Sequence, residues 1–148
     1  MRFLARSVVL AAFILAEFGC GYFRSGTRLD DPGNWQRAFR STKPADVVVV
    51  HSRYWRSPHW TFEFEYFFEI APHEKLREQL FRENKLRRLS INEAARSRDK
   101  GYGSIPAWFA PKPPDNYDIW VHAEEPRGDF QVIIDRETGT IFLSDRQV

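Results

Sequence analysis

Apolar and polar residues alternate most regularly between Trp60 and Ile70. One set of alternate positions is entirely large and apolar, and it consists of Trp60, Phe62, Phe64, Tyr66, Phe68 and Ile70. The intervening positions include Glu63, Glu65 and Glu69. Because strand side chains point alternately to two faces, a period of two predicts a β-strand. We expect its aromatic face to lie in a core and its acidic face to be solvated.

A second strand is predicted just before this one. The valine run at 47–50 favours a pleated backbone, and the strand can continue to Trp55. Residues 56–59 form a short connection that contains serine and proline, which are typical of turns. Since so short a connection joins antiparallel neighbours, the two strands are predicted to form a β-hairpin.

Two helices are predicted, one on each side of the hairpin. The first covers about 30–41, because it starts with two acidic residues and a proline, which are typical of a helix N-terminus. The second covers about 72–84, where Leu76 and Leu80 place two apolar side chains on one face.

The C-terminal part is predicted to be a three-stranded meander. Alternating or β-branched apolar residues mark strands at 117–124, 130–134 and 140–143. The turns between them lie at 125–128 and 135–139, and both contain glycine.

This order of elements predicts an α+β fold. The expected sheet has five antiparallel strands, built from the β-hairpin, a helix and the three-stranded meander, with one or two helices packed on one face. Before the meander, residues 90–103 are predicted to be a long polar loop. Residues 106–114 are rich in proline and are expected to be extended, but not a central strand.

The N-terminus has the pattern of an export signal. Arg2 and Arg6 make it basic, residues 8–16 are apolar, and Cys20 stands between two glycines. The apolar run is shorter than the roughly 20 residues that a transmembrane helix needs. The segment resembles a bacterial lipoprotein signal, in which the cysteine becomes the lipidated N-terminus. The resemblance covers residues 1–20 and implies lipidation at Cys20.

Two other interpretations of this segment stay open. Gly19 and Gly21 form a small-x-small pattern, which predicts cleavage after Gly21 and a soluble exported protein. The segment could instead remain as an uncleaved anchor. The predicted organisation is a signal peptide or membrane anchor at 1–20, a tether at 21–29 and one α+β domain at 30–148.

Composition excludes several classes of function. The full chain has a formal charge of +2, which falls to about +1 when Arg2, Arg6 and Glu17 are set aside, and this balance argues against nucleic acid as a partner. Cys20 is the only cysteine, which leaves no disulfide and no thiolate zinc site in the domain. The sequence contains no motif for phosphate or dinucleotide binding, and no cofactor is predicted.

Neither a catalytic site nor a metal site is predicted. His51, His59 and Glu63 lie near the first hairpin and could contribute to a polar site. A metal site would need them to converge within about 2.2 Å of one ion, and strand pairing gives no specific reason for that. An envelope enzyme with a polar site near this hairpin is kept as the alternative function.

The tip of the first hairpin is the candidate contact surface. Arginine and the large aromatic residues are typical interface anchors. The predicted binding residues are Tyr54, Trp55, Arg56, His59 and Trp60 at the tip, with Trp108 and Phe109 in the proline-rich segment. In the structural alternative, Trp55 and Trp60 form a cross-strand pair and Trp108 fills a gap beneath the long loop.

The sequence therefore predicts an exported protein that is membrane-associated as a lipoprotein, or else periplasmic or extracellular. Its expected role is that of a small binding or structural module in the bacterial envelope. The membrane and another envelope protein are the expected partners.

Overall fold

The computed structural model describes residues 26–58, 63–90, 92–93, 105–124 and 129–147. Its strands are β1 (Gly26–Leu29), β2 (Val49–Arg56), β3 (Phe64–Ile70), β4 (Leu86–Arg88), β5 (Tyr117–His122), β6 (Gln131–Asp135) and β7 (Ile141–Gln147). Its helices are α1 (Asn34–Phe39), α2 (Glu74–Glu83) and a 3₁₀ turn at Pro114–Asn116. None of the helices in this described part has the length and apolar character needed to span a membrane.

The strands form one antiparallel sheet in the order β1-β2-β3-β7-β6-β5-β4. The α+β class, the first hairpin (β2–β3) and the meander (β5–β6–β7) are confirmed. After β3, the chain passes through α2 to the far edge at β4. It then returns strand by strand until β7 pairs with β3, which joins the two parts of the sheet at its centre.

The prediction of five strands is wrong, because the sheet has seven. The additional strands are the two edges, β1 and β4. Every residue of β1 is exposed, and the strand lies within the segment expected to be a tether. Only three residues form β4. Edge strands as short as these carry no apolar periodicity, since backbone pairing with a neighbour is what holds them.

The first core lies between one face of the sheet and both helices. Phe68 and Ile70 of β3 are fully buried there, and Leu76 and Leu80 of α2 are buried against them. The predicted aromatic face is therefore confirmed from Phe64 to Ile70, with Phe64 at the margin of the core, whereas its first two members, Trp60 and Phe62, lie outside the described residues.

A second core lies on the opposite face of the sheet. Phe67, Phe142 and Ile133 project from the strands, and Phe109 from the proline-rich segment covers them. Phe109 packs edge-on against Phe67 at 4.9 Å and against Phe142 at 5.6 Å between ring centroids. The segment at 105–113 closes this face without forming a strand. The expectation that it is extended is wrong at its centre, where the Phe109 N–H donates to the Pro106 carbonyl at 2.9 Å and closes a turn.

The expectation that the acidic row of β3 is a solvated face is wrong at Glu65. Its side chain is 11% exposed and pairs with Arg53 at 2.9 Å. The Arg53 guanidinium also lies 4.6 Å from the centroid of the Phe67 ring. The second core covers this part of the face, so Glu65 is paired with a guanidinium instead of being hydrated.

Several predicted features lie outside the described residues. They are the export signal with Cys20, the hairpin residues His59 and Trp60, and most of the loop at 90–103.

Candidate ligand-binding cavity

A cavity of about 500 Å³ opens between the two helices and the first face of the sheet. Trp35 and Phe39 of α1 form one side, and Leu76, Gln79, Leu80 and Glu83 of α2 form the other. Its floor consists of Tyr66, Leu143, Asp145 and His122 from three strands. The volume falls within the range of small-molecule sites, which occur preferentially in such clefts between elements.

Helix α1 is fixed by a buried asparagine at its first position. Asn34 is completely buried, and its Nδ2 donates to the Ser52 Oγ at 3.0 Å and to the Arg28 carbonyl at 3.1 Å. Arg37 adds a bond from its Nη1 to the Asn34 Oδ1 at 3.0 Å. Because six residues are too few for an independently stable helix, these bonds to β1 and β2 set its position. They direct Trp35 over the sheet, with its ring 5.9 Å from that of Phe68.

Helix α2 begins with a histidine cap and ends with an asparagine. The His73 Nδ1 accepts a hydrogen bond from the Leu76 N–H at 3.0 Å, which satisfies one of the free donors of the first turn. At the other end, the Asn84 Nδ2 donates to the Leu80 carbonyl at 2.8 Å. Both caps adjoin Leu76 and Leu80, and so they hold the apolar wall of the cavity in place.

The floor of the cavity carries a protonated phenol. Tyr66 is 3% exposed, and burial together with the nearby Asp145 charge raises its pKa well above the usual value. The Tyr66 hydroxyl is therefore a neutral donor at physiological pH and not a phenolate base.

Two residues that line the cavity carry buried nitrogen atoms without hydrogen-bond partners among the described residues. They are the Trp35 Nε1 and the His122 Nδ1. Trp35 is 6% exposed, so bulk water does not replace the missing acceptor. A buried polar atom left unpaired costs about 1–3 kcal/mol, and an arrangement of this kind is explained when a ligand or ordered water supplies the partner.

A second depression of about 460 Å³ lies at the other side of the sheet. Arg88 and Arg136 line it, and both guanidinium groups contact the Asp118 Oδ1. The two arginines hold the pKa of Asp118 below its usual range, although partial burial opposes them. Because the Asp118 carboxylate already pairs with both guanidinium groups, this depression offers a ligand fewer polar groups without a partner than the cavity does.

The predicted hairpin-tip residues are divided between the two faces of the sheet. Tyr54 lies opposite Tyr66 and packs against the first core. Trp55 is half-buried and lies opposite Glu65 in the sheet register, and Arg56 is half-buried at the end of β2. His59 and Trp60 are outside the described residues, so a contact surface at this tip stays a prediction.

The two predicted binding residues of the proline-rich segment pack onto the sheet. Trp108 is half-buried and stacks on His51, with 5.4 Å between ring centroids and an interplanar angle of 28°. Phe109 is 8% exposed within the second core. Phe109 therefore has little area left for a partner, whereas Trp108 retains some exposure.

Two of the three polar residues considered for an enzyme or metal site, His51 and Glu63, lie far apart, and the third, His59, lies outside the described residues. His51 lies 3.4 Å from the Asp30 carboxylate at one end of β2. Glu63 bonds through its backbone carbonyl to Ser57 at the other end, roughly 20 Å away at about 3.3 Å per strand residue. The described residues contain no group of histidine, cysteine and carboxylate side chains able to hold a metal ion.

Sequence reasoning did not identify the cavity. Trp35, Tyr66 and His122 have the apolar or alternating positions of ordinary core residues. The one available signal is Asp145, an acidic residue two positions after the apolar run Ile141–Leu143 in a strand.

No family model, curated protein or solved structure matches the chain. Function is therefore inferred from the chemistry of the cavity, since a fold class alone does not define an activity.

Proposed function

We propose that this protein is an exported binding module, tethered to the membrane by its N-terminus, that holds a small ligand in the helix–sheet cavity. The observation that carries the proposal is the cavity itself. It has a volume of about 500 Å³, and two of its lining residues have buried nitrogens without partners in the described structure. The export signal at residues 1–20 supports the location.

The groups in this cavity are better suited to ligand binding than to catalysis. The Trp35 indole is only a donor, and the raised pKa of Tyr66 keeps its phenol protonated. Such groups orient a ligand through hydrogen bonds inside an apolar wall, which is the usual composition of a recognition site. The alternative of an enzyme near the first hairpin has less support, because His51 and Glu63 lie at opposite ends of β2.

The test is to fill the cavity from one side. Gln79 lines it and is half-buried, whereas the neighbouring Glu78 is exposed and does not line it. Gln79→Trp introduces a large ring toward the cavity, and Glu78→Trp introduces the same ring on the outer face of α2 as a matched control.

Three probes of similar shape and different charge report on binding to the full chain. They are choline, 3,3-dimethyl-1-butanol and 3,3-dimethylbutanoate, followed by saturation-transfer NMR. We expect at least one probe to bind the wild type and the Glu78→Trp variant and to bind Gln79→Trp at least about tenfold more weakly, a loss of roughly 1.4 kcal/mol. If no probe binds, or if Gln79→Trp and Glu78→Trp behave alike, the cavity is not the binding site.

A further inference from the structure

The second depression lies at the edge of the sheet, where the short strand β4 ends. β4 pairs with residues 120–122 of β5 only, so the first half of β5 has no strand on its outer side among the described residues. None of the residues that line the depression is acidic. They include two arginines, Arg88 and Arg136, and the apolar or aromatic residues Leu89, Pro114, Tyr117 and Ile119. The depression therefore combines an apolar surface with two cationic side chains.

Both arginines are held in place by one carboxylate. The Arg88 Nη2 and the Arg136 Nε donate to the Asp118 Oδ1, the second of them at 2.8 Å. The Arg136 Nη1 also donates to the Asp115 carbonyl oxygen at 2.8 Å. Because these bonds connect β4, β5 and the turn after β6, the two guanidinium groups are positioned before any ligand arrives. Such preorganisation lowers the entropy cost of binding.

Both guanidinium groups have a partner in Asp118, and yet each keeps donors for a ligand. A guanidinium has five N–H donors, and the bonds above use one from Arg88 and two from Arg136. The remaining donors have no partner among the described residues. The two side chains are 51% and 45% exposed, so a ligand can approach them from solvent.

The charges around the depression leave an excess of one positive charge. The two arginines contribute two cations, and Asp118 offsets one of them. Glu93 accepts a hydrogen bond from the hydroxyl of Ser90, which lines the depression, at 2.8 Å, but Arg87 pairs with Glu93 at 3.1 Å and offsets that charge. A ligand with a single negative charge would complete the balance, whereas a phosphate group, with about 1.5 to 2 negative charges at pH 7, would exceed it.

We propose that this depression is a second binding site, separate from the cavity, for a small organic carboxylate with an apolar body. The planar guanidinium fork matches the two oxygens of a carboxylate, and hydrogen bonds between charged partners are among the strongest in proteins. The apolar body then covers Leu89 and Pro114, which are both half-buried. Such a site goes beyond the proposed function, since it depends on neither the cavity nor the membrane tether.

Two probes of similar shape test the need for a negative charge. In the full-length Gln79→Trp variant, whose cavity is filled, 3,3-dimethylbutanoate should bind at least about threefold more tightly than 3,3-dimethyl-1-butanol in saturation-transfer NMR, the range of a single partly solvated charge interaction. Raising the salt concentration should weaken the binding of the carboxylate. Inorganic phosphate, which lacks an apolar body and exceeds the charge, should bind at least about threefold more weakly than the carboxylate.

Replacement of the arginines locates the bound carboxylate. Arg88→Gln and Arg136→Gln should each lower the affinity for 3,3-dimethylbutanoate by about threefold or more. Arg77→Gln is the matched control and should leave it unchanged, because Arg77 is 48% exposed and forms its ion pair on α2, outside the depression. These variants are made in the wild-type chain, so they remain decisive if Gln79→Trp does not fold. Circular dichroism checks their folding, and Arg88→Gln decides the matter if Arg136→Gln unfolds.

The outcomes separate this site from the cavity. If 3,3-dimethylbutanoate binds no better than the neutral alcohol, or if Arg88→Gln leaves its affinity unchanged, the depression is not a carboxylate site. An equal loss in Arg77→Gln would mean that the overall charge of the protein, and not the depression, attracts the probe. Tighter binding of phosphate would overturn the choice of a carboxylate. If Gln79→Trp weakens no probe, the proposed function of the cavity fails, and the arginine variants alone decide the carboxylate site.

Discussion

Tyr66 on β3 and Asp145 on β7 lie directly opposite each other in the sheet, and both line the cavity. Burial of the phenol is the larger cause of its raised pKa, and the Asp145 charge adds to it. The pairing keeps a proton on Tyr66 at pH values where an exposed tyrosine has lost it. The central pair of strands thereby supplies the cavity with one neutral donor next to one negative charge.

This pairing predicts a specific loss of stability in alkali. Because the pKa of Tyr66 is higher in the folded state than in the unfolded state, its contribution is fully present below about pH 10 and is lost as the pH rises further. We expect Tyr66→Phe to flatten the fall in unfolding free energy between about pH 9 and 11, as measured by urea denaturation. Asp145→Asn should have a smaller effect in the same direction. An unchanged slope in Tyr66→Phe would contradict the assignment.

The buried pair of Arg53 and Glu65 gives a second prediction. Their side chains are 13% and 11% exposed, so removal of either partner leaves a charge with little access to water. Glu65→Gln should lower the unfolding free energy by about 2–4 kcal/mol. The control Glu78→Gln, at an exposed helical position, should change it by less than about 0.5 kcal/mol.

A double replacement by apolar residues tests whether the unpaired charge causes this loss of stability. Arg53→Met combined with Glu65→Leu should recover much of the stability that Glu65→Gln loses, because no isolated charge then remains on the covered face. If the double variant is less stable than Glu65→Gln, packing by the Arg53 side chain outweighs the ion pair.

The parts of the fold that sequence predicts are those with strong local periodicity. The alternation of β3 specified both its conformation and its buried face, and the meander followed from turns with glycine between apolar runs. Edge strand β1 had no such signal. Its position depends on bonds from distant residues, such as that from the Ser52 N–H to the Asp30 Oδ1 at 2.7 Å. Asp30 therefore joins β1 to β2, and α1 begins only at Asn34.

Sequence patterns also could not predict which segment covers the second face of the sheet. The acidic positions of β3 have the sequence pattern of a solvated face. In the structure, however, Phe109 of the proline-rich segment packs over Phe67 and covers that face. A segment without regular structure has no period that shows where it packs. For that reason the ion pair of Glu65 could not be predicted.

The cavity was not predictable for a related reason. Its lining combines Trp35, Tyr66 and His122, which come from a helix and two strands that are distant in the chain. Each of them has the pattern of a core residue. An unpaired buried nitrogen becomes visible only once all its neighbours are known.

The first core predicts a gradient of stability along β3. Phe68 is 1% exposed, whereas Phe64 is half-buried at the margin of the core. Phe68→Ala should cost about 3–5 kcal/mol, the range for a fully buried phenylalanine, and Phe64→Ala should cost less than half of that. Urea denaturation of both variants checks the ranking. Equal costs would mean that the end of the strand is as tightly packed as its centre.

Asp135 predicts how the protein responds to acid. Burial alone would raise the pKa of this carboxyl, but the Lys112 ammonium at 2.9 Å and the N–H groups of Thr138 and Glu137 outweigh burial and lower it. Because the pKa is lower in the folded state, the stability it contributes is present above about pH 4 and is lost as the pH falls further. Asp135→Asn should therefore flatten the acid side of the stability profile.

A neighbouring carboxylate provides the control for this measurement. Glu137 contacts the same Lys112 at 2.8 Å, but its side chain is 81% exposed. Exposed ion pairs contribute little to stability, so Glu137→Gln should retain most of the acid dependence. If both variants flatten the profile equally, the effect comes from Lys112 and not from the buried Asp135.

Cys20 predicts where the protein resides. If the resemblance of residues 1–20 to a lipoprotein signal holds, Cys20→Ser should abolish incorporation of labelled palmitate and move the protein to the soluble fraction or leave it unprocessed. Glu17 occupies a position where such signals usually have an aliphatic residue, so Glu17→Leu should improve processing. Mass spectrometry of the mature N-terminus distinguishes the outcomes: a diacylglyceryl-modified Cys20 supports the lipoprotein, and a new terminus at residue 22 supports a soluble exported protein. An unmodified Cys20 in a full-length membrane-bound chain would show that the segment is an anchor, because only an uncleaved apolar run could then hold the domain at the membrane.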